Sequence, residues 1–277
     1  SDNDGQPQEL TAEAVILASG GSGASKELMQ RYRPALAHYR TTNQEGATGD
    51  GLRLASAVGA QLMQLDLVQV HPTVQQDQAH AYLIGEAVRG EGAILVNQQG
   101  NRFVNELATR RIVSNAITKL PEHSAYLIFD QQVRKRVKAV EFYHHIGLVK
   151  TGRTVDELAD QIGLADLQET INEWNRAVEN QDDEKFGRTT GMDRALTAGP
   201  FYAIHVAPAI HYTMGGIHAD AETRVLDANG QAIPGLYAAG EVVGGLHGNN
   251  RIGGNSIAET VVFGRQAAFT AKEEIDK

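Results

Sequence analysis

The sequence predicts an α/β fold whose sheet is interrupted by a long insertion, and two segments carry that prediction. Ala14-Val-Ile-Leu-Ala18 is a short unbroken apolar run ending in Ser19-Gly-Gly-Ser-Gly23. Gly235-Leu-Tyr-Ala-Ala239 repeats the pattern and ends in Gly240-Glu-Val-Val-Gly-Gly245. Such a run feeding a glycine turn reads as a strand buried on both faces. In open α/β sheets ligands sit outside the carboxyl ends of the strands, where these glycines fall. The expected division is 1–65 for the first part of the sheet domain, 66–212 for an inserted α+β lobe and 213–277 for the second part.

The remaining elements follow in order. Asp4-Gly5 is a turn signal, and Asp227-Ala-Asn-Gly230 reads as the hairpin turn leading into the second apolar run. Within the insertion, 155–180 has apolar residues at helical spacing around Trp174, while Asp182-Asp-Glu-Lys185 and Thr189-Thr-Gly191 read as surface loops. The cluster Arg134 to Lys138 reads as a solvated helix face. The segment 256–277 places Ala, Val and Phe on one side and ends in Lys and Glu, as a terminal helix does. Its entry, Gly253-Gly-Asn-Ser256, is a helix N-terminus preceded by glycines, suited to an anion or a polarised carbonyl.

Composition narrows the function. With 42% hydrophobic and 21% charged residues, the chain has the balance of a soluble globular protein. No run approaches the roughly 20 apolar residues of a bilayer span, and the polar stretch Ser1 to Leu10 does not read as an export signal. This leaves the compartment open between cytoplasm and periplasm. The absence of cysteine excludes disulfides, thiolate metal sites and a cysteine nucleophile, and no metal is expected. A formal net charge of −9 argues against a nucleic-acid surface.

Four groups carry candidate chemistry. In His71-Pro-Thr the proline stiffens the chain after the imidazole, although a lone histidine beside proline is commonly structural. Glu86-Ala-Val-Arg89-Gly places a carboxylate and a guanidinium three residues apart, on one face of a helical turn; an ordinary surface ion pair is the simpler reading. Gly100 to Arg110 follows, and Arg110-Arg111 also reads as solvent-facing when taken alone. The third group is His211-Tyr-Thr-Met-Gly-Gly216 and the fourth Asn249-Asn-Arg251-Ile-Gly-Gly-Asn-Ser256. Arg251 stands among glycine and asparagine, where its fork suits a carboxylate. Arg89, Arg110, Arg251, His71 and His211 together suggest a cationic pocket in an acidic protein, and hence an anionic small-molecule substrate.

In order and spacing these residues resemble the flavoprotein subunit family of fumarate reductases and succinate dehydrogenases, most closely its soluble flavocytochrome-type branch. The matching blocks are Ala14 to Gly21, Thr42 to Gly51, His71-Pro-Thr, Glu86 to Gly90, Gly100 to Arg110, His211 to Gly216, Gly235 to Glu241 and Arg251 to Ile257. The resemblance implies a Rossmann-like flavin domain interrupted by a mobile capping domain, with FAD as cofactor and substrate held over the flavin between them. It implies reduction of the carbon-carbon double bond of a small unsaturated carboxylate, fumarate first. Arg110 is then the acid, reprotonated through Glu86 and Arg89. His211, Arg251 and the backbone near Gly254 hold one carboxylate, with His71 and Gly85 at the other. Ser19, Gly20, Gly21, Asp50, Tyr212, Glu241, Ser256 and Ile257 contact FAD.

Three departures qualify this expectation. The family's strand and G-x-G-x-x-G loop, which cradles the FAD diphosphate, occurs nowhere in these 277 residues, which read as an N-terminally truncated portion of a longer protein. Gly85 stands where the fumarate reducers carry a threonine that helps hold a carboxylate, leaving that end roomier and one donor short. Arg111 replaces the aspartate that commonly follows the acid arginine. Other enoates, such as acrylate derivatives or urocanate, thus stay open as substrates. So do a related flavin oxidase or dehydrogenase, such as an L-aspartate oxidase or a ketosteroid dehydrogenase, and a flavin-free folded scaffold. Twin carboxylate-binding residues argue against a steroid enzyme. The electron donor and the oligomeric state are not legible.

Overall fold

The computed structural model of the chain describes residues 9–277, so the expected turn at Asp4-Gly5 lies outside the described residues. The chain divides into two units. The first comprises the chain up to His38, Asn43–Gln69 and Tyr212–Lys277; the second comprises Tyr39–Thr42 and Val70–His211. The second unit therefore takes in a short segment that the expected insertion, 66–212, omits. The reason is backbone pairing: Thr42 N–H donates to the Ile210 carbonyl at 2.9 Å and Ile210 N–H to the Arg40 carbonyl at 2.9 Å. Such a segment carries no apolar periodicity, so nothing in its sequence announces the pairing.

In the first unit, strand Val15–Leu17 runs parallel to strand Ala232–Ala238, with Val15 opposite Leu236 and Leu17 opposite Ala238. Strand Arg224–Leu226 pairs antiparallel on the other side of Ala232–Ala238. The hairpin turn between them closes through Gly230 N–H to the Asp227 carbonyl at 3.0 Å. Because the two strand-then-glycine segments are parallel neighbours, both glycine turns leave the same end of the sheet. Strand Val15–Leu17 is not buried on both faces as its apolar run suggests: Val15 and Ile16 are 48% and 42% exposed. It is an edge strand, with one paired neighbour among the described residues.

The core of this unit joins Leu52 and Ala55 of helix Asp50–Ala57 to Leu28, Ile217, Val225, Ala238 and Val242. The terminal helix, Asn255–Ile275, packs Ala267 and Ala271 with Tyr237 and Ala239, and Phe263 joins their stripe at four-residue spacing. Val261, Val262 and Phe269, expected on the packed side, are more than half exposed because they lie off that stripe. The two glycines closing the His211–Gly216 motif have a packing reason. A Cβ on Gly215 would stand 1.9 Å from the Gln64 carbonyl oxygen, and one on Gly216 would stand 2.1 Å from that of Val242.

The second unit is built on a sheet in the order Tyr82–Leu83, Val68–Gln75, Phe201–Thr213, Ala125–Asp130, Ile94–Val96, with Lys150–Gly152 also pairing with Phe201–Ala203. Its core gathers Ile94, Leu95, Val96, Leu127, Ile128 and Phe129 with helical residues including Ile117, Leu167, Ile171 and Trp174. The stretch expected as helical over 155–180 is two helices, Val155–Ile162 and Leu167–Asn180, separated at Gly163, whose φ of 77° ends the first. Leu167, Ile171, Trp174 and Val178 form the buried stripe of the second. The loop expected at the surface over 182–185 is only partly so, because Asp183 is buried against Arg102. Of the basic cluster, Lys135 and Lys138 are exposed, whereas Arg134 pairs with Glu141 at 2.7 Å. Among the described residues no helix is long and apolar enough to cross a membrane.

The glycine contacts give a paired prediction. Gly216→Ala costs about 1–3 kcal/mol or more, because its new methyl meets unyielding backbone. Gly90→Ala, whose Cβ would meet nothing within 4 Å, leaves stability nearly unchanged. Urea denaturation midpoints of the two variants against wild type check both outcomes.

Candidate active site

In the second unit, Glu86 and Arg110 start two helices, Glu86–Gly90 and Arg110–Thr118. A carboxylate at a helix N-terminus is favourable and a guanidinium there is not, so Arg110 needs a partner. Arg110 Nη2 lies 3.0 Å from Glu86 Oε2, and Arg89 Nη2 lies 3.9 Å from Glu86 Oε1. Glu86 thus stands between two guanidinium groups of opposite character. Arg110 is partly accessible, whereas the Arg89 side chain is 0% exposed. Arg89 Nη1 donates to the Glu106 carbonyl, while its Nε and Nη2 have no hydrogen-bond partner among the described residues. Burial, offset in part by Glu86, brings the Arg89 guanidinium down to about 10. The Glu86–Arg89 pair is therefore not an ordinary surface ion pair, since one member is fully enclosed. Nor does Arg110 face solvent as the sequence taken alone suggests; Arg111 does.

His71 and His211 also meet in this unit, with ring centroids 5.3 Å apart at an angle of 67°. His71 is buried in strand Val68–Gln75, and burial, then the charges of Arg89 and Arg110, holds its imidazole well below the usual 6.5. Its Nδ1 accepts the Thr73 N–H at 3.3 Å, so the neutral ring carries its proton on Nε2 and can donate from there. His211 Nδ1 lies 2.8 Å from Thr42 Oγ1, which orients the ring. Gly85 precedes Glu86, and its N–H donates to the Tyr143 hydroxyl at 3.1 Å. A Cβ at Gly85 would meet only that hydroxyl, at 3.6 Å.

The first unit holds Arg251 and the other candidate residues. Arg251 is buried; its guanidinium lies over the Tyr212 ring at 4.3 Å, and its carbonyl accepts Gln69 Nε2 at 2.8 Å. The Tyr212 hydroxyl donates to Glu259, which also bonds His247 Nε2. Burial, then Glu259, pushes the Tyr212 phenol far up. Glu241 accepts the Thr213 N–H at 2.9 Å and its hydroxyl at 3.2 Å, and burial raises its carboxyl above the ordinary range. Gly21 is packed into this group, since a Cβ there would stand 2.3 Å from Thr213 Oγ1 and 2.4 Å from Glu241 Oε1. Ser19 touches the start of helix Asp50–Ala57, its Oγ 2.1 Å from where a Cβ on Gly51 would be. Asp50 is exposed and paired with Arg53 at 2.9 Å. Gly254, with φ 86°, precedes the terminal helix, on which Ser256 is half-buried and Ile257 exposed.

Residues 1–257 match the FAD binding domain family. The chain belongs to that family. It is similar to the NADH:fumarate oxidoreductase of Klebsiella pneumoniae (strain 342), 46% identical over 265 residues that cover 95% of this chain and 28% of that protein. It is also similar to the urocanate reductase of Eggerthella lenta, 34% identical over 277 residues, covering 96% of this chain and 46% of that protein. Among solved structures, the open conformation of a flavocytochrome c3 fumarate reductase matches with a TM-score of 0.77 at 46% identity, over 95% of this chain and 46% of that one. The chain spans less than half the length of these relatives.

FAD is the cofactor of a chain of this family, and the first unit offers space for a flat group. It contains a cavity of about 400 Å³ lined by the glycines Gly240, Gly244 and Gly245 and by Met63, Val243, Leu246 and Phe263, with Glu259 at its wall. Apolar walls with a few polar groups suit a flat aromatic ligand. None of the residues assigned to FAD by resemblance lines this cavity, although Gly240 adjoins Glu241. Residues missed by sequence reasoning include Thr42, Gln69, Thr213 and Glu259. Thr42 and Thr213 lay inside matching blocks, but their role depends on partners distant in the chain. Glu259 falls within the expected terminal helix, where nothing in its sequence context marks it out.

The depressed His71 titration predicts a pH dependence. A histidine held neutral in the folded state contributes its full stability above the unfolded value near 6.5 and loses it as pH falls below. Wild type should lose stability between pH 6.5 and 5 at up to about 1.4 kcal/mol per pH unit from this group. His71→Gln should show a flatter profile, read as urea midpoints across that window.

Proposed function

We propose that the chain forms part of an FAD-dependent oxidoreductase that reduces the carbon-carbon double bond of a small unsaturated carboxylate, fumarate first, with Arg110 as proton donor. The observation that carries this reading is the Glu86 carboxylate set 3.0 Å from Arg110 and 3.9 Å from buried Arg89. FAD, when bound and reduced, would supply a hydride to one alkene carbon. The other carbon, next to a carboxylate, becomes strongly basic and takes a proton from Arg110. Free arginine is a poor acid, with a pKa above about 12, so the donation depends on position and on rapid return of the proton. Glu86 is in hydrogen-bond contact with Arg110 and can return it, and Arg89, brought to about 10 by burial, is the next donor in line.

The same arrangement stabilises developing negative charge with fixed cations, which favours the transition state over the neutral alkene. Carboxylate binding is assigned to His211 and His71 in the second unit and to Arg251 and the Gly254 backbone in the first. The neutral Nε2–H tautomer of His71 supports a donor role there. Ser19, Gly20, Gly21, Asp50, Tyr212, Glu241, Ser256 and Ile257 are assigned to FAD, Glu241 being held by Thr213. The space beside Gly85 favours a second substrate reading, an enoate whose far end is bulkier than a carboxylate, such as urocanate.

The deciding experiment is anaerobic reoxidation of the reduced, FAD-loaded protein by fumarate. Reoxidation is expected, and Arg110→Ala should slow it by about 10²- to 10⁴-fold while FAD absorbance on titration stays as in wild type. Binding of FAD without reoxidation by any enoate would sink the catalytic reading. No binding of FAD would leave the chain a scaffold. On the specificity question, Gly85→Thr should improve KM for fumarate relative to urocanate by roughly tenfold, the worth of one hydrogen bond to a charged group. An unchanged ratio would remove Gly85 from the substrate site.

A further inference from the structure

We infer that Glu106 and Arg188 are positioning residues that hold the Glu86–Arg89 pair in its working geometry through a buried charge network. The inference rests on the reaction proposed above. Glu106 is completely buried, and its carboxylate accepts Arg102 Nε at 2.8 Å and Nη2 at 2.9 Å, Arg188 Nη1 at 3.1 Å and the Leu95 N–H at 3.3 Å. Arg102 is also forked onto Asp183 at 3.0 and 2.9 Å. The Trp174 ring has the Arg102 and Arg188 guanidinium groups each 4.6 Å from its centroid. Every ionised member of the network is thereby matched, which burial at this depth demands.

The network reaches the relay through two backbone contacts. Arg188 Nη2 donates to the Arg89 carbonyl at 2.8 Å, and Arg188 Nη1 to the Ala93 carbonyl at 2.9 Å. These bonds hold the carboxyl end of the five-residue helix Glu86–Gly90, which is too short to hold its own shape. In the other direction, the Glu106 carbonyl accepts Arg89 Nη1, the one hydrogen bond fixing that side chain among the described residues. Glu106 thus holds the Arg89 end of the relay directly, and it lies four residues before Arg110 in the chain. The charges facing Arg89 are Glu86, Glu106, Arg110 and Arg188, with neutral His71 beside them. Removing the Glu106 charge takes away support for the Arg89 cation and leaves Arg188 opposing it.

The test uses Glu106→Gln and Arg188→Lys in the chain as it stands, each checked for a cooperative thermal transition. The Arg89 guanidinium is titrated by carbon NMR, and amide hydrogen exchange is followed in peptides covering 84–92 and 106–112. In Glu106→Gln the Arg89 midpoint should fall by about one pH unit. In both variants exchange should rise by about tenfold in those peptides and stay at wild-type values in strand Ala125–Asp130. Where FAD-loaded protein turns over, the alkaline limb of its pH profile should move down with the Arg89 midpoint. A folded Glu106→Gln variant in which the Arg89 midpoint does not move, or folded variants in which exchange rises everywhere alike, would overturn the inference. A wild type that binds FAD yet reduces no enoate would overturn the reaction instead, and the NMR and exchange results would still decide whether these residues hold Arg89.

Discussion

Burying an arginine side chain is expensive, and the second unit does so at Arg89, Arg102 and Arg188. What makes this possible is the Glu106 carboxylate, aided by Asp183, at the centre of the group. Arg102 and Arg188 spend their donors on these carboxylates and on backbone carbonyls. Arg89 does not: among the described residues its Nε and Nη2 have no hydrogen-bond partner, and it faces Glu86 across 3.9 Å. The network therefore leaves one guanidinium incompletely satisfied, next to the exposed carboxylate that pairs with Arg110.

The same economy governs the first unit, with the signs changed. There the groups withdrawn from water are the carboxylates of half-buried Glu241 and buried Glu259, held by Thr213, Tyr212 and His247. Arg251 stacks on Tyr212, whose hydroxyl is engaged by Glu259, so the orientation of the guanidinium depends on a residue eight positions further along the chain. Close backbone approach at Gly215 and Gly216 sets the end of the His211–Gly216 motif, giving its glycines a packing role distinct from ligand binding.

The sheet pattern, the two glycine turns, the terminal helix and the cationic residues were legible in the sequence because each depends on neighbours within a few positions. The exposure of strand Val15–Leu17 was not, since an apolar run reports hydrophobicity and not whether a second strand covers it. The break between helices Val155–Ile162 and Leu167–Asn180 was missed although Gly163 marks it, because periodicity around Trp174 continues across the gap. Asp183, placed in a loop, is buried because Arg102 reaches it from 81 positions away.

By itself, the sequence determined the kinds of chemistry available: no thiols, a surplus of acid, and arginines and histidines set in glycine-rich and proline-stiffened contexts, in an order that resembles one flavoprotein family. Only the tertiary structure decided what those groups are. Burial converts Arg89 from a surface cation into a guanidinium brought down to about 10, and holds the His71 imidazole well below its usual range. It also recruits Thr42, Thr213, Glu106 and Arg188, which no local pattern distinguishes from ordinary polar residues. The physical reason is that side-chain type is local, whereas desolvation and pairing are set by atoms brought together from distant parts of the chain.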